Sequence, residues 1–256
     1  MNGVALITGA ASGIGAATVR AFVARGVTRL AVADVQKDKL AAIAAELPNV
    51  EIASFVCDVS KEEDVKAMVE GTAEKFGRID YAVNCAGVAP PPGPTAQCPT
   101  EDYDRVVGIN QRGVFFCVRE QLKVMEKQEP LAVEADTVRN QRGSIVNIAS
   151  IAGLIALSGV PGYISSKHGV IGLSKAVCAE YGGKGIRCNS IAPGFVDTPM
   201  IQGSQVAEML TQLPPVPMNR VGHPEEIADV VTFLSSTGAS FVNGATWTVD
   251  GGYTVI

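Results

Sequence analysis

Short apolar runs alternate along the chain with longer stretches in which apolar side chains recur every third or fourth position. The runs fall at residues 4–8, 29–33, 51–57, 81–84, 143–149, 187–191 and 246–249. They alternate poorly between apolar and polar, as strands buried on both faces do. Between them, residues 14–25, 37–47, 62–76, 100–127, 161–181 and 224–235 carry apolar positions at helical spacing. Regular alternation of strand and helix predicts an α/β fold, a doubly wound parallel sheet of Rossmann type flanked by helices on both faces. Two stretches are irregular. Residues 128–142 are polar, mixed in charge and interrupted by Pro130, and predict a lengthened surface connection. Residues 193–220 carry Pro193, Pro199, Pro214, Pro215 and Pro217 around an apolar patch at 206–213. They follow a strand end, where open α/β sheets bind ligands, and predict a mobile substrate lid.

Composition narrows the picture. A chain of 256 residues, 47% hydrophobic, suits one large domain spanning 1–256. The net charge of −5 comes without any basic run, which argues against a nucleic-acid surface. No apolar stretch is long and unbroken enough to span a bilayer. Met1-Asn2-Gly3 leads straight into an apolar run, without the basic start and cleavage site of a secretory signal. The six cysteines lack C-x-x-C spacing and mostly lie in apolar runs, as buried thiols in a reducing compartment do. A cytoplasmic enzyme without a metal is the expectation. His168 follows Lys167 on a helix, and His223 precedes Pro224-Glu225-Glu226, a helix start with acids in its first turn.

Chemistry enters at the strand ends. The first strand runs into Thr8-Gly9-Ala10-Ala11-Ser12-Gly13-Ile14-Gly15. Gly9 allows a tight turn, while Gly13 and Gly15 let the backbone approach a pyrophosphate and let a helix pack close to the sheet. The amino terminus of that helix faces the anion. Asp34 ends the second strand. A carboxylate there accepts hydrogen bonds from ribose hydroxyls and repels a 2′-phosphate. Val35, Gln36, Ala10 and Ala11 offer no basic clamp, so NAD is expected over NADP. Asp58, in Cys57-Asp58-Val59 after the third strand, either meets the adenine amino group or caps the next helix, a role for which Ser60 competes. Tyr163 and Lys167 stand four apart on a predicted helix and so share a face. A tyrosine ionises near pH ~10, and a neighbouring ammonium is expected to draw that value toward neutrality, making the phenol an acid/base.

These residues, with Asn84-Cys85-Ala86-Gly87, Asn110, Ser150 and Pro193-Gly194, resemble the short-chain dehydrogenase/reductase family in order and spacing over nearly the whole chain. The family commonly has asparagine where Cys85 stands, a packing variation. The resemblance implies a seven-stranded parallel sheet, a homotetramer or homodimer, and reduction of ketones or oxidation of secondary alcohols. It implies a catalytic tetrad of Asn110, Ser150, Tyr163 and Lys167. Ser150 would hold the substrate oxygen, Tyr163 exchange its proton, Lys167 bind the nicotinamide ribose, and Asn110 hold a water linking Lys167 to solvent. Coenzyme contacts are expected from Gly9, Ser12, Gly13, Ile14 and Gly15, from Asp34 and Val35, from Asp58 and Val59, from Asn84, Ala86 and Gly87, from Tyr163 and Lys167, and from Pro193, Val196 and Thr198.

The presumptive pocket walls carry little charge. Residues 88–100 and 151–162 contain none, and 193–219 only Asp197 and Glu208. A buried anion would go unpaired there, so the expected substrate is neutral and mainly apolar. Leu154, Ile155, Leu157, Val160, Met200, Ile201, Met209 and Leu210 are candidate lining. A 3-oxoacyl-thioester reductase, a cyclase or isomerase on the same fold, and a non-catalytic NAD-binding protein are the alternatives.

Overall fold

The computed structural model describes residues 1–89, 92–131, 137–202 and 216–255. Its frame is a seven-stranded sheet, parallel throughout, in the order β3-β2-β1-β4-β5-β6-β7. The strands are β1 (Val4–Thr8), β2 (Arg29–Asp34), β3 (Glu51–Val56), β4 (Tyr81–Asn84), β5 (Gly143–Ile148), β6 (Ile186–Pro193) and β7 (Thr246–Val249). The helices that position the site are α1 (Gly13–Ala24), α2 (Lys37–Ala45), α3 (Glu62–Phe76), α4 (Thr100–Val107), α5 (Val114–Met125), α6 (Pro161–Tyr181) and α7 (Pro224–Ser235).

The pleat sends successive side chains to opposite faces, and each face has its own core. Val4, Leu6, Ala82, Ile145 and Cys188 pack with Met68 of α3, Val118 of α5 and Val170 of α6. Ala5, Ile7, Val83, Val146 and Ile191 pack with Phe22 of α1, Leu40 of α2 and Val231 of α7. Connections leaving β1 and β4 diverge toward opposite edges of the sheet, which opens a crevice at the carboxyl ends of these two neighbours.

The long helix expected over 100–127 runs from Thr100 to Met125 but changes its winding midway. Between α4 and α5 the backbone makes a π-helical turn over Gly108–Gly113. Two tight demands meet there. Asn110, fully buried, exchanges two hydrogen bonds with the Val88 backbone, and a methyl group built on Gly113 would stand 2.9 Å from the Val59 carbonyl oxygen. The wider turn presents both residues at once, a common use of π-bulges near functional sites.

The connection after α5 is tied down at the amino-terminal ends of β4 and β5. The Gln128 amide pairs with Ile79 in both directions, Arg142 donates to the Gln128 carbonyl at 2.6 Å, and Leu131 bridges to Gln141. These contacts lie at the far end of the sheet from the crevice. Of the expected lid, residues 203–215 lie outside the described residues, and with them Met209 and Leu210. Its described flanks are anchored by the Asp197 N–H, which donates to the Gly222 carbonyl at 2.8 Å. As expected, α7 starts with Pro224, and the Glu226 carboxylate accepts from the His223 N–H at 2.7 Å.

Candidate active site

The crevice is a cleft of about 350 Å³. At its floor, Thr8 joins the two diverging halves: its hydroxyl accepts from the Cys85 and Ala86 N–H groups at 3.1 and 3.3 Å. The turn after β1 must pass close beneath. Gly9 has φ +67°, and a methyl group built on it would stand 2.8 Å from the Ala86 nitrogen. Gly9, Ser12, Gly13 and Ile14 line the cleft. The α1 amino terminus is capped by Ser12 without a side-chain hydrogen bond and has no acid in its first turn. Its free N–H groups and positive dipole end are suited to a pyrophosphate. Thr198 leans over this turn, its methyl 3.1 Å from where a Gly13 side chain would begin.

Asp34 and Val35 line the next section of wall. The Asp34 carboxylate is 8% exposed and held by backbone, accepting from Ala11 N–H at 3.1 Å and from Gln36 N–H at 3.0 Å. The Gln36 side-chain amide also donates to it, at 3.3 Å. Asp58 and Val59 follow. Asp58 does not cap α3: its Oδ1 accepts from the Ser60 N–H and hydroxyl at 3.0 and 2.7 Å, and the cap position is Lys61, without a side-chain bond. Among the described residues of the lining, Lys167 is the only cation.

At the other end, α6 brings Tyr163 and Lys167 against Ser150, which follows β5. The Tyr163 hydroxyl shares a hydrogen bond with Ser150, whose oxygen also accepts from the Ala152 N–H at 3.1 Å. The Lys167 ammonium lies 5.5 Å from the Tyr163 ring centre and donates to the Ile148 carbonyl at 2.9 Å. Asn110 stands behind Gly87: a methyl group built there would lie 3.2 Å from Asn110 Oδ1 and 3.8 Å from Lys167 Nζ. All four tetrad positions thus converge, three in the cleft wall and Asn110 just beneath it.

The electrostatics differ from expectation. Burial pushes the Tyr163 phenol above its ordinary value, and the Ser150 hydrogen bond opposes this. Burial also lowers the Lys167 ammonium to about 8, with neighbouring Cys85 opposing. Leaving water disfavours the charged form of each group. Proximity of the pair was correctly anticipated; a phenol drawn toward neutrality by Lys167 was not.

Two residues expected at the coenzyme sit elsewhere. Asn84 is 1% exposed and turned into the sheet, where its amide donates to Asn147 at 2.8 Å and exchanges bonds with Gln121 at 3.1 and 2.9 Å. Gly15 lies outside the lining. A methyl group on it would fall 2.0 Å from the Gly9 carbonyl oxygen, so it serves the close seating of α1. Ala86, Gly87, Pro193, Val196 and Thr198 do line the cleft, as do Met200 and Ile201. Leu154, Ile155, Leu157 and Val160 do not. Among residues not anticipated are Gln36, Cys85, Val88, Ile109, Ile148, Ala149 and Pro199. Gln36 directly follows Asp34 and Val35, and Val88 directly follows Gly87, so adjacency was their signal. Ile109 is set by the π-turn and had none.

Known proteins share this sequence pattern and fold. A family profile described as enoyl-(acyl carrier protein) reductase matches residues 9–254. Cyclohexanol dehydrogenase of Acinetobacter sp. (strain SE19) is 40% identical, over 99% of this chain and 95% of its own. Levodione reductase of Leifsonia aquatica is 39% identical over 97% of this chain and 93% of its own, and a levodione reductase crystal structure superposes with a TM-score of 0.87, at 38% identity over 98% of this chain and 97% of that one. A 3-ketoacyl-(acyl-carrier-protein) reductase from Brucella melitensis, complexed with NADH, gives a TM-score of 0.86 at 30% identity, covering 98% of both chains.

Proposed function

The chain belongs to the short-chain dehydrogenase/reductase family and is an oxidoreductase, and we propose that it moves a hydride between NAD(H) and a neutral, mainly apolar secondary alcohol or ketone. The observation that carries the reading is one wall of the cleft: a tyrosine hydroxyl bonded to Ser150, a lysine beside it, and otherwise Val88, Ile109, Met200 and Ile201. Such a wall orients a carbonyl or carbinol oxygen and, among the described residues, offers nothing to pair with an anion apart from Lys167.

The coenzyme fits the residues present. The α1 amino terminus would take its pyrophosphate, Asp34 its adenosine ribose, Asp58 and Val59 its adenine, and Lys167 its second ribose. Bound nicotinamide supplies or accepts the hydride. The chain supplies the rest. Ser150 donates a hydrogen bond to the substrate oxygen and fixes it against Tyr163. In oxidation the Tyr163 oxygen takes the carbinol proton; in reduction it returns one. Lys167, buried and near its own titration, holds charge beside the phenol. Asn110 is committed to Val88, and its part is to hold Gly87 and the adjoining backbone in place, with a water between it and Lys167 as the route for the proton. NAD over NADP follows from Asp34 and the absence of a cation near it in the described lining. Assembly as a homodimer or homotetramer, in the cytoplasm, completes the reading.

The test is turnover of a panel: cyclic secondary alcohols with NAD, cyclic ketones with NADH, and 3-oxoacyl thioesters with both NADH and NADPH. Faster turnover of neutral alcohols or ketones is expected. Clear preference for the thioesters would move the protein to the reductase reading that the Brucella relative represents. Tyr163→Phe removes one oxygen and should abolish turnover by about 10²-fold or more, with NADH binding kept. Near-normal turnover would place the acid elsewhere.

A further inference from the structure

We infer that Ser174 is a positioning residue that sets the register of α6, and hence where Tyr163 and Lys167 stand relative to Ser150; the inference rests on the catalytic reading above. Tyr163, Lys167 and Ser174 fall at spacings of four and seven along the helix, so all three face the sheet on one stripe. Apart from the bonds of Lys167 to the Ile148 carbonyl and of Tyr163 to Ser150, which belong to the site itself, the neighbouring contacts of α6 are apolar: Val170, Ile171 and Val177 join the core on that side. Such contacts hold the helix down but resist sliding or rotation weakly, since hydrophobic attraction is not directional.

Ser174 supplies the direction. Its hydroxyl donates to the Val170 carbonyl at 2.9 Å and accepts from the Asn147 amide at 2.9 Å and from the Ser190 hydroxyl at 2.8 Å. A hydroxyl has one donor and two acceptor sites, and all three are taken. The partners come from β5 and β6, so one atom of α6 is tied to two neighbouring strands. Asn147 is also bonded to Asn84 of β4, and Asn84 to Gln121 of α5. Every one of these five side chains is 1% exposed or less. Serine inside a helix is disfavoured locally. A buried polar chain is costly unless complete, and when complete it specifies one arrangement. Asn147 lies three residues before Ser150 on the same strand path. The chain therefore measures the catalytic helix against the strand that delivers the substrate-holding hydroxyl.

Ser174→Ala, Ser174→Thr, Ser190→Ala and the Ser174→Ala/Ser190→Ala pair test this, each as the full chain. Melting temperature and NADH affinity report folding. The Tyr163 phenol is titrated by ultraviolet difference against Tyr163→Phe, and kcat and KM are followed against pH. Ser174→Ala should bind NADH as wild type does and leave KM nearly unchanged. Its kcat should fall by about ten- to a hundred-fold, the scale of an ångström-sized misplacement, and its phenol midpoint should move. Ser174→Thr, which keeps the hydroxyl, should recover both. Ser190→Ala should shift both in the same direction by less, and should add little to Ser174→Ala because the same bond is lost. It also reads the effect if a Ser174 variant does not fold. Variants that melt earlier yet keep wild-type kcat and the wild-type phenol midpoint would reduce Ser174 to packing and overturn the inference. If the wild-type protein oxidised no alcohol and reduced no ketone, the functional reading would fall, while the phenol titration would still decide the positioning claim.

Discussion

Asp34→Asn is the sharpest test of coenzyme choice, because the carboxylate is already tied on both oxygens. Oδ2 accepts from Ala11, and Oδ1 from the backbone and side chain of Gln36. A carboxylate offers about four acceptor sites, so about one remains for a ribose hydroxyl. Against a 2′-phosphate the same group repels. Two unit charges 4 Å apart interact by about 1 kcal/mol in water and about 4 kcal/mol at an effective dielectric of ~20. A cleft wall lies between these limits, and about 2 kcal/mol corresponds to a discrimination of ~30-fold. Asparagine removes the charge but cannot keep the bonds. Its NH₂ must face the Ala11 N–H or the Gln36 N–H, donor against donor, at a cost of about 1–3 kcal/mol. The expected outcome has two parts. The NAD-to-NADP ratio of kcat/KM, measured with one alcohol, falls by about 30-fold, and kcat/KM with NAD itself falls. The melting temperature drops as well, by roughly 2–4 °C per kcal/mol lost. An unchanged ratio, or a wild-type protein that prefers NADP, would show that the carboxylate does not face the ribose.

Lys167→Met should trade activity for stability. The ammonium is 5% exposed, and its folded-state value of about 8 lies below the ordinary 10.5. Below pH 8 both folded and unfolded chains are protonated, and burial of the charge costs about 3 kcal/mol. As pH rises from 8 to 10.5 the folded chain sheds its proton first, so the cost fades and wild-type stability from this group increases. The variant's gain in melting temperature should be largest below pH 8 and shrink toward pH 10.5, while turnover is lost; a gain that grows with pH would refute the sign. Gly15→Ala places a carbon 2.0 Å from the Gly9 carbonyl oxygen, and backbone must move. Overpacking of this kind costs about 1–3 kcal/mol, so calorimetry should show a lowered melting temperature and fluorescence a weakened NADH affinity. Wild-type values for both would mean that α1 is not seated against the turn.

The five inner strands were readable because burial on two faces leaves an unmistakable apolar run, whereas β3 and β7 at the sheet edges are partly exposed; the start of α7 followed from Pro224. The π-turn at 108–113 was not readable. One extra residue in a turn leaves the apolar spacing on either side intact, and the cause lies in Val59 and Val88, which are remote in sequence. The inward turn of the Asn84 side chain was legible from strand parity. Asn84 shares its face of β4 with Ala82, Asn147 shares its face of β5 with Ile145, and Ser190 shares its face of β6 with Cys188. Ala82, Ile145 and Cys188 all belong to the core beneath α3, α5 and α6. Counting in twos from any of them sends the amide or hydroxyl under α6 and away from the crevice, which opens beyond the strand ends.

The tyrosine and lysine show where reading by spacing stops. A separation of four on a helix guarantees a shared face and therefore proximity. It says nothing of how much water each group loses, and the sign of the shift depends on that loss. In this fold the lysine reaches the Ile148 carbonyl on the floor of the crevice, the phenol meets Ser150, and both lie among apolar neighbours. Each is pushed toward its neutral form, the phenol upward and the amine downward. The ordinary values, about 10 and 10.4, nearly coincide; burial drives the two apart, so transfer of the phenol proton to the lysine becomes less favourable than spacing alone would suggest. Burial alone therefore works against ionisation of Tyr163, and its acid/base role rests on the Ser150 hydrogen bond and on where the two side chains stand in the crevice.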